Sequence, residues 1–156
     1  MSPDFFDLRP SSALVWPVPL ASLRRVGQSV LSDRDGKGRP HYGLDLFAAA
    51  DTPILSAGDG RIVRVVDGRQ SPELAKRRAG LWVDVLGQEW LLRYLHLGSV
   101  IVGADAKIKR GALIGFLADN QNGEPHLHFE IRHSKVTQGR YGDAVDPLRL
   151  LPPRRS

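Results

Sequence analysis

Two short stretches hold the residue types that bind metals: His41-Tyr-Gly-Leu-Asp45 and His126-Leu-His128. A histidine and an aspartate four apart share one helix face, as paired histidines do in H-E-x-x-H proteins. Pro40 and Gly43 argue against a helix here. On a straight strand the pair would share a face yet stand about 13 Å apart. Ligands of a single zinc lie about 2 Å from it. His41 and Asp45 therefore converge only if the chain bends, and Gly43 supplies a place to bend. Otherwise the segment is a turn that carries a His and an Asp by chance. In His126-Leu-His128 the alternation of a strand turns both imidazoles to one side and Leu127 to the core. At about 6.5 Å apart, they suit one metal ligand and one neighbour that reaches substrate, or two hydrogen-bonded structural histidines. His96, in Tyr94-Leu-His-Leu-Gly98, closes the strand before a turn, a usual setting for a structural histidine. His133, between Arg132 and Ser134-Lys135, reads as surface.

The chain has 156 residues and no cysteine. Disulfide frameworks, thiolate zinc fingers, iron–sulfur clusters and cysteine nucleophiles are excluded, and any metal must rest on His, Asp or Glu. Two histidines and one carboxylate form a common catalytic zinc set that leaves one position for water. Two further histidines would then serve proton transfer and charge stabilisation. The net charge of +5 and pI near 10.0 point to a polyanionic partner: nucleic acid, anionic membrane or an acidic wall polymer.

The elements that must position these residues are short strands. Ile62–Val66, Leu81–Leu86, Trp90–Leu95, Leu113–Leu117 and His126–Arg132 are rich in Val, Ile and Leu and are bounded by Gly, Pro or Asp. Such evenly spaced runs argue an antiparallel, mostly β domain. Trp90–Leu95 follows Leu81–Leu86 across Gly87-Gln-Glu89 as a hairpin partner. One short helix is expected over Ser71–Arg78, with Ser71 at N-cap and Pro72 at N1. Residues 52–63 and 106–116 look alike, each a strand, a turn and a strand, as in lipoyl- and biotinyl-carrier hairpins. Residues 1–20, with Pro3, Pro10, Pro17 and Pro19, read as an extended wrap, and 146–156 as a basic, Pro-containing tail. The start, with two acids and no basic run, is not read as a signal peptide. No stretch approaches 18 apolar residues.

The ordered set of motifs resembles the lysostaphin/LytM-type zinc metallopeptidases. The family's H-x-x-x-D appears as His41 to Asp45, its H-x-H as His126-Leu-His128 within Gly123-Glu-Pro-His-Leu-His-Phe-Glu-Ile131, and its intervening histidine as His96. Thr52-Pro-Ile-Leu-Ser-Ala-Gly-Asp-Gly-Arg-Ile-Val63, Ile108-Lys-Arg-Gly-Ala-Leu-Ile-Gly115 and Asp146-Pro-Leu148 support the match. It runs from about Trp16 to Leu151. The resemblance implies an antiparallel β-sheet domain of that type, barrel-sandwich-hybrid-like, with few short helices, forming a single domain over residues 1–156. It implies one Zn2+ held by His41, Asp45 and His128, with His126 as general base and His96 stabilising the oxyanion. It also implies a peptidoglycan endopeptidase that cuts peptide cross-links at the cell wall, by a route the chain does not specify. A monomer is expected, with no nucleic acid and no transmembrane segment.

The lead-in Leu31–Pro40, the loop Asp119–Pro125 and an apparent insertion at Ser71–Ala79 depart from the family's pattern and bear on substrate preference. Lys76-Arg-Arg78 and Arg154-Arg155 are candidate wall contacts. The main rival is a non-catalytic wall-binding or amidase-activator module of the same fold, although all five motif residues are kept. A carrier domain would need a lysine at a tight turn, where Asp59-Gly60 and Arg110-Gly111 stand. A nucleic-acid barrel would use exposed aromatics on a basic face, and aromatics are only 7% of residues and avoid the basic runs.

Overall fold

Alternation along the strands sorts side chains onto the two faces of one sheet. The computed structural model describes residues 13–27, 42–119, 123–137, 140–141 and 144–154. Its strands are β1 (Arg25–Val26), β2 (Leu44–Phe47), β3 (Pro53–Leu55), β4 (Gly60–Asp67), β5 (Leu81–Leu86), β6 (Trp90–Val100), β7 (Lys107–Ile108), β8 (Leu113–Leu117), β9 (His126–His133), β10 (Val136–Thr137), β11 (Arg140–Tyr141) and β12 (Ala144–Val145). Among the described residues one α-helix, α1 (Leu74–Ala79), joins β4 to β5. Ten strands form one antiparallel sheet along the path β1-β2-β9-β6-β5-β4-β7. β12 adds to β9, and β8 bridges β6 and β3. The expected mostly β, antiparallel architecture is the one observed.

The register places the core on one face. Leu44 pairs with Phe129 and Leu46 with Leu127. Tyr94 pairs with Phe129 and Leu92 with Ile131. Val83 and Val85 pair with Tyr94 and Leu92. All are buried. Tyr94 is fully enclosed, and its hydroxyl accepts the buried Ala57 N–H at 2.8 Å. Burial pushes its pKa up. A Tyr94→Phe variant is expected to lose about 1–3 kcal/mol of stability, because Ala57 N–H would be left buried without an acceptor. Urea unfolding would check this, and an unchanged midpoint would contradict it.

The two look-alike segments pair with each other. β3 runs antiparallel to β8 and β4 to β7. Their turns dock, with Arg110 N–H donating to Asp59 Oδ1 at 2.7 Å. The described part of the expected wrap does lie on the core: Leu14, Trp16 and Val18 are buried. Trp16 Nε1 donates to the Pro152 carbonyl at 2.8 Å, which ties the amino-terminal segment to the carboxy-terminal one. Asp146 caps a 3-10 turn at Pro147–Arg149 by accepting Leu148 N–H at 3.0 Å.

Two expectations are corrected. The helix begins at Leu74, not near Ser71, and Glu73 is its N-cap. Ser71 Oγ does accept the Glu73 N–H, at 3.1 Å. Glu73 nevertheless stays extended, at φ −78° and ψ 121°, so the hydroxyl closes a local turn rather than starting a helix. The second correction concerns His96. It does not end its strand, because β6 continues through it to Val100.

Candidate active site

The second face of the sheet carries the chemistry. β2 and β9 place Asp45 directly opposite His128, and Asp45 Oδ1 lies 3.3 Å from His128 Nδ1. Both residues are only 8% exposed. The chain bends at Gly43, as expected, and the glycine is needed for a second reason. A Cβ there would stand 2.7 Å from His128 Nε2 and 2.7 Å from the Phe129 carbonyl oxygen, so the imidazole packs where a side chain would be. His126 lies two residues back on the same face, with Nε2 4.0 Å from Asp45 Oδ1. Its Nδ1 lies 3.1 Å from the Glu124 carbonyl, and its ring rests on Phe47 at 5.1 Å.

His96 arrives by a defect in β6. Leu95 pairs with His128 on β9, but from Leu97 onward β6 pairs with β8. On the β5 side, Val83 pairs with Tyr94 and Leu81 with Leu97. Leu95 and His96 therefore stand against Trp82 alone, as in a β-bulge. His96 takes φ 74° there, a left-handed conformation that costs a non-glycine residue energy and gathers at functional sites. The result is a ring 4.9 Å from that of His126 and 6.2 Å from that of His128.

A charged row crosses the same face. Asp84, Arg93 and Glu130 are cross-strand neighbours on β5, β6 and β9. Arg93 grips the fully buried Asp84 with Nε at 2.9 Å and a second nitrogen at 3.1 Å. Glu130 accepts from Arg132 Nε at 2.7 Å, and its other oxygen lies 2.8 Å from His128 Nε2. Both ring nitrogens thus face carboxylate oxygens, which in the metal-free protein favours a proton on each; with a metal on Nδ1, Nε2–H would remain to donate to Glu130.

Environment sets the charges. Burial would lower the His128 pKa, but its hydrogen bonds to Asp45 and Glu130 reverse the effect and raise it. Burial would raise Glu130, yet the His128 and Arg132 contacts hold it down to about 2, so it is a carboxylate. Burial, followed by the neighbouring imidazoles of His126 and His128, pushes His96 down to about 4. Asp45 and a hydrogen bond with the Ala79 backbone oppose that shift. In the metal-free protein at neutral pH, His96 is therefore neutral.

Four of the five expected site residues (Asp45, His96, His126 and His128) come together on this face. The fifth, His41, lies outside the described residues, as do Arg155 and the whole lead-in Leu31–Pro40. His133 is exposed, as expected. Sequence reasoning passed over Glu130, although it continues the alternation of His126 and His128 and is a lone acid in a buried strand. The donor chemistry fits zinc: an imidazole nitrogen, with Glu130 behind the ring, and a carboxylate oxygen converge. Among the described residues no three such groups are arranged to hold a metal by themselves.

The bulged antiparallel sheet thus carries an Asp–His pair and two flanking imidazoles on one face. The chain belongs to peptidase family M23, whose model matches residues 39–147. It is 34% identical over 108 residues to the peptidoglycan DD-endopeptidase ShyA of Vibrio cholerae, covering 68% of this chain and 22% of that protein. A zinc-containing peptidase from Vibrio cholerae superposes with a TM-score of 0.67 at 27% identity, over 86% of this chain and 39% of that one. The catalytic domain of the antimicrobial peptidase lysostaphin from Staphylococcus simulans shares the fold, with a TM-score of 0.64 at 23% identity over 80% of this chain and 90% of that one. The chain spans between 18% and 57% of the length of three curated relatives it matches. No helix among the described residues is long and apolar enough to cross a membrane.

Proposed function

We propose that this chain is a zinc-dependent endopeptidase that hydrolyses peptide cross-links of bacterial peptidoglycan at the cell wall. The observation that carries the reading is the convergence of Asp45, His126, His128 and His96 where β2, β9 and β6 meet. Membership of family M23 and the name of the relative ShyA support it. His41, Asp45 and His128 would hold the ion, with His128 oriented by Glu130. Bound zinc lowers the pKa of water and polarises the scissile carbonyl.

The remaining work falls to this chain's side chains. His126 donates Nδ1–H to the Glu124 carbonyl, which leaves Nε2 with a lone pair on the Asp45 side. It takes a proton from the attacking water as the water oxygen bonds to the carbonyl carbon. It then returns that proton to the amine nitrogen as the C–N bond breaks. His96 is assigned to the carbonyl oxygen, where developing negative charge raises the ring's affinity for a proton.

Purified protein is expected to carry one zinc per chain and to release peptide fragments from sacculi. A chelator should stop the release and added zinc restore it. Protein without zinc by elemental analysis, or inert toward sacculi when zinc-loaded, would favour the non-catalytic module instead.

A further inference from the structure

A cavity of about 580 Å³ opens beside His96 and His126 and is also lined by Arg69, Arg77, Arg78 and Asp119. That volume lies in the range of small-ligand sites. Its three cations are not equivalent. Arg69 is spent on Asp67, with Nε at 2.9 Å and a terminal nitrogen at 2.8 Å, and also reaches the Gly98 carbonyl at 3.3 Å. Arg77 donates to the Ser71 carbonyl at 3.1 Å. Among the described residues, neither Arg77 nor Arg78 is paired with a carboxylate, and Asp119 makes no ion pair. With Arg69 neutralised by Asp67, two guanidiniums stand against one acid and leave the cavity positive.

The helix bearing Arg77 and Arg78 is anchored to the site. Gly68 N–H donates to the Gly80 carbonyl at 2.7 Å, closing the base of the insertion. Gly80 ends α1 at φ 74° while its N–H bonds Lys76 O at 3.0 Å. Gly80, which follows the last helical residue, lines the cavity together with His96. The two arginines thus line the cavity from an element whose base is closed, opposite His96 and His126.

We propose that Arg77 and Arg78 bind a substrate carboxylate beside the scissile amide and so select cross-links made to a diamino diacid. The inference rests on the endopeptidase reading above. In such a cross-link, the carbon bearing the scissile nitrogen also bears a free carboxylate. A glycine bridge or a lysine-type cross-link has no charge at that point. The guanidinium fork matches a carboxylate in two parallel hydrogen bonds, and such charge-assisted bonds are the strong ones.

The test uses two soluble cross-linked peptide dimers that differ only in whether this carboxylate is free or a carboxamide. The zinc-loaded native chain should cleave the acid with kcat/KM at least roughly 10-fold above the carboxamide. The double variant Arg77→Gln, Arg78→Gln should cleave the acid no better than the carboxamide. Arg77→Lys, Arg78→Lys should recover part of the preference. Equal native rates on the two dimers would overturn the proposal and leave the endopeptidase reading standing. If neither dimer is cut, the endopeptidase reading fails. Calorimetric titration of the amine-side peptide, acid against carboxamide, into native and double-variant protein then decides alone. A native preference lost in the variant supports the carboxylate site, and equal affinities overturn it.

Discussion

The His126→Ala variant is expected to keep its zinc and lose turnover by about 10²–10⁴-fold, the range that removing a general base spans. Retention of the metal follows from the geometry. The Asp45–His128 contact at 3.3 Å does not pass through His126, and His128 is held from its far side by Glu130 at 2.8 Å. Loss of turnover follows from the tautomer: the Glu124 carbonyl at 3.1 Å takes Nδ1–H and leaves Nε2 as the proton acceptor. The side chain is 21% exposed, so water can fill the space left by alanine and the fold is spared a dry cavity. A zinc-to-protein ratio and a rate on a soluble cross-linked dimer are the two measurements. His128→Ala is the contrast and should lose the metal as well. A fully active His126→Ala protein would refute the base assignment. A metal-free one would exchange the roles of the two histidines.

The sequence carried the local half of this site and missed the non-local half. The alternation in His126-Leu-His-Phe-Glu-Ile131 is enough to turn His126 and His128 to one face, because the period of a strand is fixed by backbone geometry. Asp45 opposite His128 is a matter of register, and register follows from which face must be buried. Leu44 and Leu46 can reach the core only by turning Asp45 outward. His96 was harder. Its place depends on β6 leaving β9 for β8, a change of partner set by strands distant in sequence. No local pattern in Tyr94-Leu-His-Leu97 announces a bulge or a left-handed histidine. The helix start failed for a related reason: Ser71 satisfies the N–H of Glu73 in either a cap or a turn, and its identity does not distinguish them. The bend expected at Gly43 is present, but the second demand on that position, room for a ring that comes from β9, was not legible.

Glu130 was legible and overlooked, and it supports the second large expectation. Glu130→Gln should raise the zinc dissociation constant by about 10–100-fold while the protein stays folded, the cost typical of losing a partner behind a metal ligand. Glutamine keeps the volume but not the charge. Its carbonyl can face only one of the two groups that Glu130 now satisfies, His128 Nε2 at 2.8 Å and Arg132 Nε at 2.7 Å. The amide nitrogen must then meet the other as donor against donor. If the carbonyl stays with Arg132, His128 loses the acceptor that holds its proton on Nε2, and the proton can move to Nδ1, the atom that would bind metal. If it stays with His128, Arg132 loses its acceptor and the network with Arg93, 3.8 Å from Glu130, weakens. Either way the imidazole is a poorer ligand, because a neutral acceptor makes Nδ1 less basic than a carboxylate does. Competition titration with a zinc-binding dye would measure the affinity, and far-ultraviolet circular dichroism would show whether the sheet survives. Activity should return at saturating zinc, which separates this variant from His126→Ala, where added metal gains nothing. Native zinc affinity in the Gln variant would mean that Asp45 and the packing of Gly43 against the ring hold His128 without help from Glu130.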